Sequence, residues 1–195
     1  MEHQNLHLQL EQDASILADF YSGVDEMDDF IHTRLSSFLH TYHNSRFYVL
    51  RNAESIIVAM FVTSEGRLFL DEDCRDDLQK KFQDIEKWPE YKDYWETGAF
   101  PSIEIDYLAV RKEYRNQYIG TDIISIIKSL KDKIYSYHQP LFISVNAYCT
   151  KDYSAVGFYQ KCHFWAAEFL NPNTETIRMY RTLSSLTNEH PYTKR

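Results

Sequence analysis

Glycine is scarce in this chain, which has only five in 195 residues, whereas an average usage of roughly 7% would supply about fourteen. The five lie at positions 23, 66, 98, 120 and 157, and the closest two, Gly98 and Gly120, are 22 residues apart. That spacing fits neither the G-x-G-x-x-G fingerprint of dinucleotide-binding folds nor the P-loop pattern G-x-x-x-x-G-K-[ST]. Both nucleotide-binding motifs are therefore excluded.

Cysteine and long apolar runs are also scarce. The three cysteines form an odd set without C-x-x-C spacing, which argues against a disulfide framework and a zinc ribbon; they are Cys74, Cys149 and Cys162. No run of about 18 apolar residues occurs, and the first residues lack the pattern of a signal peptide. We therefore expect a cytoplasmic protein that does not cross a membrane.

The charge is acidic, with 29 acidic residues against 21 basic ones and a net charge of -8. This balance disfavours a large surface for a phosphate backbone, so we do not expect a nucleic-acid partner. Residues 71–98 alone carry ten acidic and five basic residues, and Leu78, Phe82 and Ile85 follow at helical spacing. This combination of acidic charge and helical spacing predicts an acidic helical insertion. The insertion is either a lid or a solvated helix packed on the sheet edge.

Apolar periodicity predicts alternating strands and helices along most of the chain. Strands are predicted at 6–10, 46–51, 56–63, 103–110, 141–145, 164–170 and 177–183, with a further strand at 67–70 after a turn at Gly66. Helices are predicted at 24–43, from 119 to about 134, and at 153–161. We expect one domain over residues 1–183, which contains the 71–98 insertion, and a polar C-terminal tail over 184–195.

The segment VRKEYRNQYIG joins a strand to a helix. A helix N-terminus directs unpaired backbone N–H groups toward one point, which makes it a site for an anion. Arg111, Lys112 and Arg115 add positive charge there, so this turn is a candidate for holding a diphosphate.

Two longer segments, IEIDYLAVRKEYRNQYIGTDIISIIK and SVNAYCTKDYSAVGFYQKCHF, resemble motifs A and B of the GCN5-related N-acetyltransferases. The resemblance implies an α/β (α+β) fold whose central mixed, mostly antiparallel sheet of six to seven strands is flanked by helices. It also implies acetyl-coenzyme A as cosubstrate and no metal. In the family, a [Q/R]-x-x-G-x-[G/A] loop holds the pyrophosphate, and Arg115, Tyr118 and Gly120 occupy its defined positions. Tyr118 thus replaces a glycine. We expect that no positive φ is needed there and that the ring faces away from the phosphates.

The resemblance further implies which residues contact the coenzyme: Leu108, Ala109, Val110, Arg115, Asn116, Gln117, Tyr118, Ile119, Gly120, Thr121 and Asn146. In the second motif, Asp152 replaces an asparagine and His163 replaces a glycine. Tyr159 matches the tyrosine that serves as general acid in many members. Its alternative is a buried structural tyrosine.

Two carboxylates are candidates for the general base. Glu104 stands where histone-type members hold that base, and Asp106 lies two residues on, on the same face of the strand. A primary amine with a pKa of about 10.4 must lose a proton before it attacks a thioester. The alternative for either carboxylate is an ion pair with a lysine or arginine.

The resemblance predicts an N-acetyltransferase that acts by direct attack of a primary amine, assisted by a backbone N–H of Leu108–Val110 at the oxyanion. We expect the acceptor to be a small-molecule amine or a peptide, and a homodimer is left open. One alternative is a catalytically weak acyl-coenzyme A-binding regulatory module. Another is a toxin-type acetyltransferase acting on aminoacyl-tRNA, because FYSGVDEMDDFIHTRLSSF is similar to the F-x-x-G-x-x-x-L-x-x-[FW]-L segment of those enzymes.

Overall fold

The computed structural model describes residues 6–81, 92–131, 140–167 and 175–183. Seven strands form one mixed sheet, with β1 at His7–Glu11, β2 at Arg46–Arg51, β3 at Ile57–Phe69, β4 at Ala99–Val110, β5 at Phe142–Tyr148, β6 at Trp165–Ala166 and β7 at Thr176–Thr182. Their order is β1-β2-β3-β4-β5-β7-β6. The predicted mixed sheet of six to seven strands flanked by helices is therefore confirmed.

Six α-helices lie in the described residues: α1 at Asp25–Asp29, α2 at Leu35–Thr41, α3 at Glu72–Lys81, α4 at Lys92–Thr97, α5 at Ile119–Ser129 and α6 at Val156–Lys161. None of them is long and apolar enough to cross a membrane. The predicted turn at 171–173, the middle of the insertion at 82–91, Ile134 and the tail at 184–195 lie outside the described residues.

The described parts of residues 1–65 and 105–130 form one compact unit. Within it, β1, β2 and β3 are antiparallel neighbours, and β2 is buried on both faces, which explains its nearly continuous apolar sequence. One face packs against the helical segments that follow β1. The buried side chains of that cluster include Leu17, Phe20, Phe30, Ile31, Leu35, Phe47, Val49, Met60 and Val62.

The helix predicted over 24–43 is interrupted. A single π-helical turn, Phe30–Arg34, separates α1 from α2, and the Thr33 hydroxyl donates a hydrogen bond to the Asp29 carbonyl at 2.7 Å. The turn places Phe30 flat against Tyr107 of β4, with 3.7 Å between ring centroids. Apolar residues continue at spacings of three and four through this segment, so periodicity alone did not reveal the interruption.

The described parts of residues 66–104 and 131–195 form a second compact unit. Here β7 pairs antiparallel with β5 and with β6. Leu78 of α3 is buried in a cluster with Leu70, Phe100 and Phe142, and Trp95 of α4 contacts Phe100 edge-on at 5.3 Å. Both helices of the insertion therefore pack on this unit, which favours the packed-helix alternative for them.

Gly66 does not make the predicted turn, since β3 continues through it to Phe69. A β-carbon at position 66 would lie 3.1 Å from Glu104 Cβ and 3.3 Å from Ser102 Oγ. The glycine is needed for close approach of side chains inside the sheet, which is a common role for glycine in a strand.

Candidate functional site

A turn joins β4 to α5 at the place predicted for the anion site. After Val110 the chain makes a short 3-10 turn, Lys112–Tyr114, and α5 begins at Ile119. Tyr118, the N-cap residue of α5, makes no side-chain cap hydrogen bond, and the N-terminus of a helix directs backbone N–H groups toward one point. Such a terminus is suited to an anion, which stays the prediction for this turn.

Tyr118 is the residue immediately before α5, and its φ is +63°. The expectation that this position needs no positive φ is therefore wrong. The left-handed conformation is the one that a glycine adopts without cost, so the structure gives a physical reason for glycine at this place in the motif. The Tyr118 side chain is 71% exposed and does not fill the turn.

Arg115 and Arg111 differ in their availability to a ligand. Arg115 is half-buried and forms no ion pair or hydrogen bond through its guanidinium within the part of the chain that the structure describes. Arg111 is engaged, because its guanidinium donates to the carbonyls of Ile57 at 2.8 Å and Asp19 at 2.9 Å and lies 5.3 Å from the Phe20 ring centroid. Arg111 therefore links its own turn to Ile57 and Asp19. The prediction that its guanidinium serves a diphosphate at the turn is wrong.

The other residues predicted to contact the coenzyme have varied exposure. Leu108 and Val110 are half-buried and Ala109 is buried. Asn116, at φ +62°, is exposed and so are Gln117 and Thr121, whereas Ile119 is buried and Gly120 is half-buried. Asn146 is exposed although its neighbours Val145 and Ala147 in β5 are buried.

Glu104 is paired with an arginine. The Arg178 guanidinium of β7 donates to both oxygens of the Glu104 carboxylate, with Nη2 at 2.7 Å from Oε2. The Ser144 hydroxyl lies 2.7 Å from the same Oε2 and 2.9 Å from the Ser102 hydroxyl. This geometry favours the ion-pair alternative for Glu104, since both of its oxygens are already occupied.

Asp106 lies in the first unit, where its Oδ1 accepts a hydrogen bond from the Ser64 hydroxyl at 3.0 Å. It is half-buried. The neighbouring Tyr107 has a raised pKa, chiefly because of burial and secondly because of the Asp106 charge.

Tyr159 of α6 is 5% exposed and contacts the rings of Phe158 and Phe164, at centroid distances of 4.9 and 5.2 Å. Burial strongly raises its pKa, and the neighbouring groups Tyr153, Cys162 and Glu104 add to that effect. Tyr159 therefore keeps its proton at neutral pH. This state suits a proton donor, and equally a structural tyrosine.

The C-terminus of α6 explains the second missing glycine. His163 has φ +66°, its N–H donates to the Gln160 carbonyl at 3.0 Å, and the Phe164 N–H donates to the Tyr159 carbonyl at 3.0 Å. These two bonds and the Tyr159–Phe164 ring contact make a Schellman motif, whose left-handed residue is usually glycine. His163 thus keeps the backbone conformation of the glycine that it replaces.

Within the second unit the structure brings Glu104 and Tyr159 close enough to interact electrostatically, whereas Asp106 and the anion turn belong to the first unit. Arg178 was missed by sequence reasoning. The sequence places it on the last predicted strand, but no local pattern links it to a carboxylate 74 positions away. Across the described residues, no group of three His, Cys, Asp or Glu side chains is arranged to hold a metal ion.

Comparison with solved structures finds chains that share this fold. The chain is similar to a bacterial toxin, with a TM-score of 0.66, 10% identity and 94% of both chains covered. It is similar to AtaTR bound with acetyl-coenzyme A, with a TM-score of 0.61, 15% identity and coverage of 93% of this chain and 95% of that one. It is also similar to AtaT complexed with acetyl-methionyl-tRNAfMet, with a TM-score of 0.59, 19% identity and coverage of 89% of this chain and 94% of that one. No protein-family model matches the sequence, and no curated protein matches it significantly.

These neighbours overturn the prediction about partners, which named a small-molecule amine or peptide acceptor and no nucleic acid. AtaT has been solved with a tRNA, with the C-terminus of its antitoxin AtaR and, together with AtaR, with DNA; KacTA has been solved with DNA. The prediction was wrong because it used the charge of the whole chain. Residues 1–33 carry eight acidic residues and no lysine or arginine, and residues 71–98 carry ten acidic and five basic ones. The other residues carry sixteen basic and eleven acidic ones.

Proposed function

We propose that this chain, whose fold is that of the GCN5-related N-acetyltransferases, is a toxin-type N-acetyltransferase that uses acetyl-coenzyme A. The proposed acceptor is the α-amino group of an aminoacyl-tRNA, and a protein partner of the kind that AtaR is to AtaT belongs to the same proposal. The observation that carries it is the likeness to AtaT over about nine-tenths of both chains, because AtaT has been solved both with acetyl-coenzyme A and with acetyl-methionyl-tRNAfMet.

The anion turn fits the coenzyme that this proposal requires. The uncapped N-terminus of α5 offers backbone donors for a pyrophosphate, and the half-buried Arg115 offers a guanidinium without a competing partner among the described residues. The exposed Tyr118 ring leaves those donors open. The residues that would hold the coenzyme are Leu108, Ala109, Val110, Arg115, Asn116, Gln117, Tyr118, Ile119, Gly120, Thr121 and Asn146. When bound, acetyl-coenzyme A supplies the thioester that the amine attacks.

An α-amino acceptor needs only a weak base, which agrees with the contacts of the two candidate bases, Glu104 and Asp106. A lysine amine, with a pKa of about 10.4, needs a strong base, whereas an α-amino group, with a pKa of about 7.7–8.0, is already about a tenth unprotonated near pH 7. Glu104 is occupied by Arg178 and Ser144, so it is poorly placed to take a proton. Asp106, whose Oδ1 accepts a hydrogen bond from the Ser64 hydroxyl, accepts the proton from the amine in this proposal, directly or through water.

Tyr159 is the proposed proton donor to the departing sulfur. Its raised pKa keeps the phenol protonated, and an ordinary thiol has a pKa of only about 8.5. Complete transfer of the proton to a free thiolate is therefore uphill by more than roughly 2 kcal/mol, since each pKa unit is worth about 1.4 kcal/mol. Tyr159 acts by hydrogen bonding as the carbon–sulfur bond breaks. Crystallised forms of AtaT and KacT carry a tyrosine-to-phenylalanine mutation.

Release of free coenzyme A thiol tests this proposal. The protein is mixed with acetyl-coenzyme A and a pool of charged tRNAs, and the matched control is the same pool after removal of its amino acids. We expect thiol release only with the charged pool. Coenzyme binding without thiol release in any pool would instead support a regulatory acyl-coenzyme A-binding module.

A further inference from the structure

We infer that Arg178 binds a phosphate group of the acceptor RNA and that Glu104 is the positioning residue that orients its guanidinium. This inference rests on the proposed function and deepens it. It assigns a binding role to a residue of β7 and gives Glu104 a role other than that of a general base.

The contacts of Glu104 fix the guanidinium on one side. Arg178 donates from both of its terminal nitrogens to the two carboxylate oxygens, and Ser144 donates to Oε2 at 2.7 Å. Such a bidentate ion pair holds the planar guanidinium in one orientation. The space for the Glu104 side chain depends on Gly66, since a β-carbon there would lie 3.1 Å from Glu104 Cβ.

The guanidinium still has donors to offer. An arginine carries five N–H groups, and Glu104 uses two of them. The others have no acceptor among the residues that the structure describes, and the side chain is 22% exposed. A held guanidinium with remaining N–H groups is well suited to a phosphate, which accepts hydrogen bonds from arginine in the same planar manner.

The surroundings of Arg178 are polar and open. Arg178 lies directly opposite Asn146 in the antiparallel pair of β7 and β5, so the two side chains share one face of the sheet. Asn146 is exposed on that face. A partly buried ion pair by itself contributes little to stability, because loss of hydration offsets much of the attraction. The polar pair is therefore better explained by a ligand than by folding.

This face is also close to the proposed chemistry. The Glu104 carboxylate is among the neighbouring charges that contribute to the raised pKa of Tyr159, after burial and the effects of Tyr153 and Cys162. A phosphate bound by Arg178 would thus belong to the part of the acceptor nearest its aminoacyl end. The same chemistry could come from a phosphate of the coenzyme, so the test measures both ligands.

The test compares the full-length wild type with Arg178→Lys, Arg178→Met and Glu104→Gln. The matched control is Arg181→Lys, in the same strand but three residues away, where the guanidinium donates to the Cys162 carbonyl. For each protein the kcat and KM for charged tRNA are measured over a range of pH, and the Kd of acetyl-coenzyme A is measured by calorimetry. Circular dichroism verifies separately that each variant is folded.

We expect Arg178→Lys and Arg178→Met to raise the KM for charged tRNA by about 10-fold or more, as loss of a charge-assisted contact does. The Kd of the coenzyme should stay within twofold. Glu104→Gln should raise the KM by a smaller factor, with kcat and its pH profile almost unchanged, because an amide oxygen still accepts one guanidinium hydrogen bond. Arg181→Lys should change neither constant.

Three results would overturn the inference. A kcat that collapses in Glu104→Gln with KM unchanged would make Glu104 the base. Weaker coenzyme binding in Arg178→Lys would assign the phosphate to the coenzyme, and a KM within twofold of the wild type would make the pair structural. Each of these requires an active wild type, whereas a wild type that acetylates no charged tRNA contradicts the proposed function itself.

Discussion

His163 offers a sharp test of the left-handed backbone at the end of α6. In the structure His163 adopts φ +66° and closes the helix with two backbone hydrogen bonds. The left-handed conformation costs a residue with a β-carbon about 1–2 kcal/mol, whereas a glycine pays nothing for it. A glycine does lose about 0.5–1 kcal/mol more conformational freedom on folding than an alanine.

We therefore compare His163→Gly with His163→Ala. Both variants remove the imidazole and all of its contacts, so the difference between them reports the backbone alone. The strain of the left-handed conformation in alanine outweighs the extra conformational entropy that glycine loses on folding. His163→Gly should therefore be more stable than His163→Ala by about 0.5–1 kcal/mol. For a chain of this size that corresponds to roughly 1–4 °C in Tm.

The assay is urea unfolding followed by circular dichroism, with thermal unfolding as a second measure. Gly157, at the other end of the same helix, supplies the matched control. A β-carbon at Gly157 meets nothing within 4 Å, and helix propensity favours alanine there, so Gly157→Ala should stabilise by about 0.5–1 kcal/mol. If His163→Ala proves as stable as His163→Gly while Gly157→Ala behaves as expected, the left-handed assignment is refuted.

Three further predictions concern the tyrosines. Tyr159→Phe should lower kcat by about 100-fold or more, as loss of a general acid does, with the coenzyme Kd within twofold; equal turnover in steady-state assays rules out the role. Tyr159 stays protonated in the folded protein but ionises near pH 10 when unfolded, so stability present below pH 10 is lost as the pH rises towards the folded pKa. The free energy of unfolding is measured with urea from pH 8 to 11. Above pH 10 it should fall in the wild type by up to about 1.4 kcal/mol per pH unit more than in Tyr159→Phe. Parallel curves for the two proteins would contradict the burial of the phenol. In calorimetry, Tyr118→Gly should bind acetyl-coenzyme A at least as tightly as the wild type. Tyr118→Val should weaken both coenzyme binding and stability, because a β-branched residue tolerates φ +63° poorly. Tighter binding by Tyr118→Val would show that the turn is not left-handed.

Local features of the fold could be predicted from the sequence because their signals are local. The start of α5 at Ile119 and the strand that ends at Val110 were both predicted from apolar spacing, and the structure confirms them. The turn between them lies where the sequence placed it, and its role as an anion site stays a prediction. The prediction about Gly66 was wrong, because only the partner strand shows that this glycine makes room for Glu104.

Long-range contacts could not be predicted. Arg111 is engaged by the carbonyl of Asp19, 92 positions away, and Arg178 by Glu104, 74 positions away. Charge patterns along the chain indicate neither pairing. The left-handed conformations of Tyr118 and His163 were also missed, since the residue types argue against positive φ. Both residues stand where the resembled motifs have glycine, and this signal was present in the sequence.

The most direct measurement of the central claim identifies the acetylated product. Charged tRNAs are incubated with the protein and isotopically labelled acetyl-coenzyme A and then digested with nuclease, and the aminoacyl-adenosine fragments are analysed by mass spectrometry. The proposal predicts labelled acetyl on the α-amino group of one or more aminoacyl-adenosines, with far less product from Tyr159→Phe. Complete conversion of a control acetyltransferase substrate alongside unlabelled aminoacyl-adenosines would contradict it.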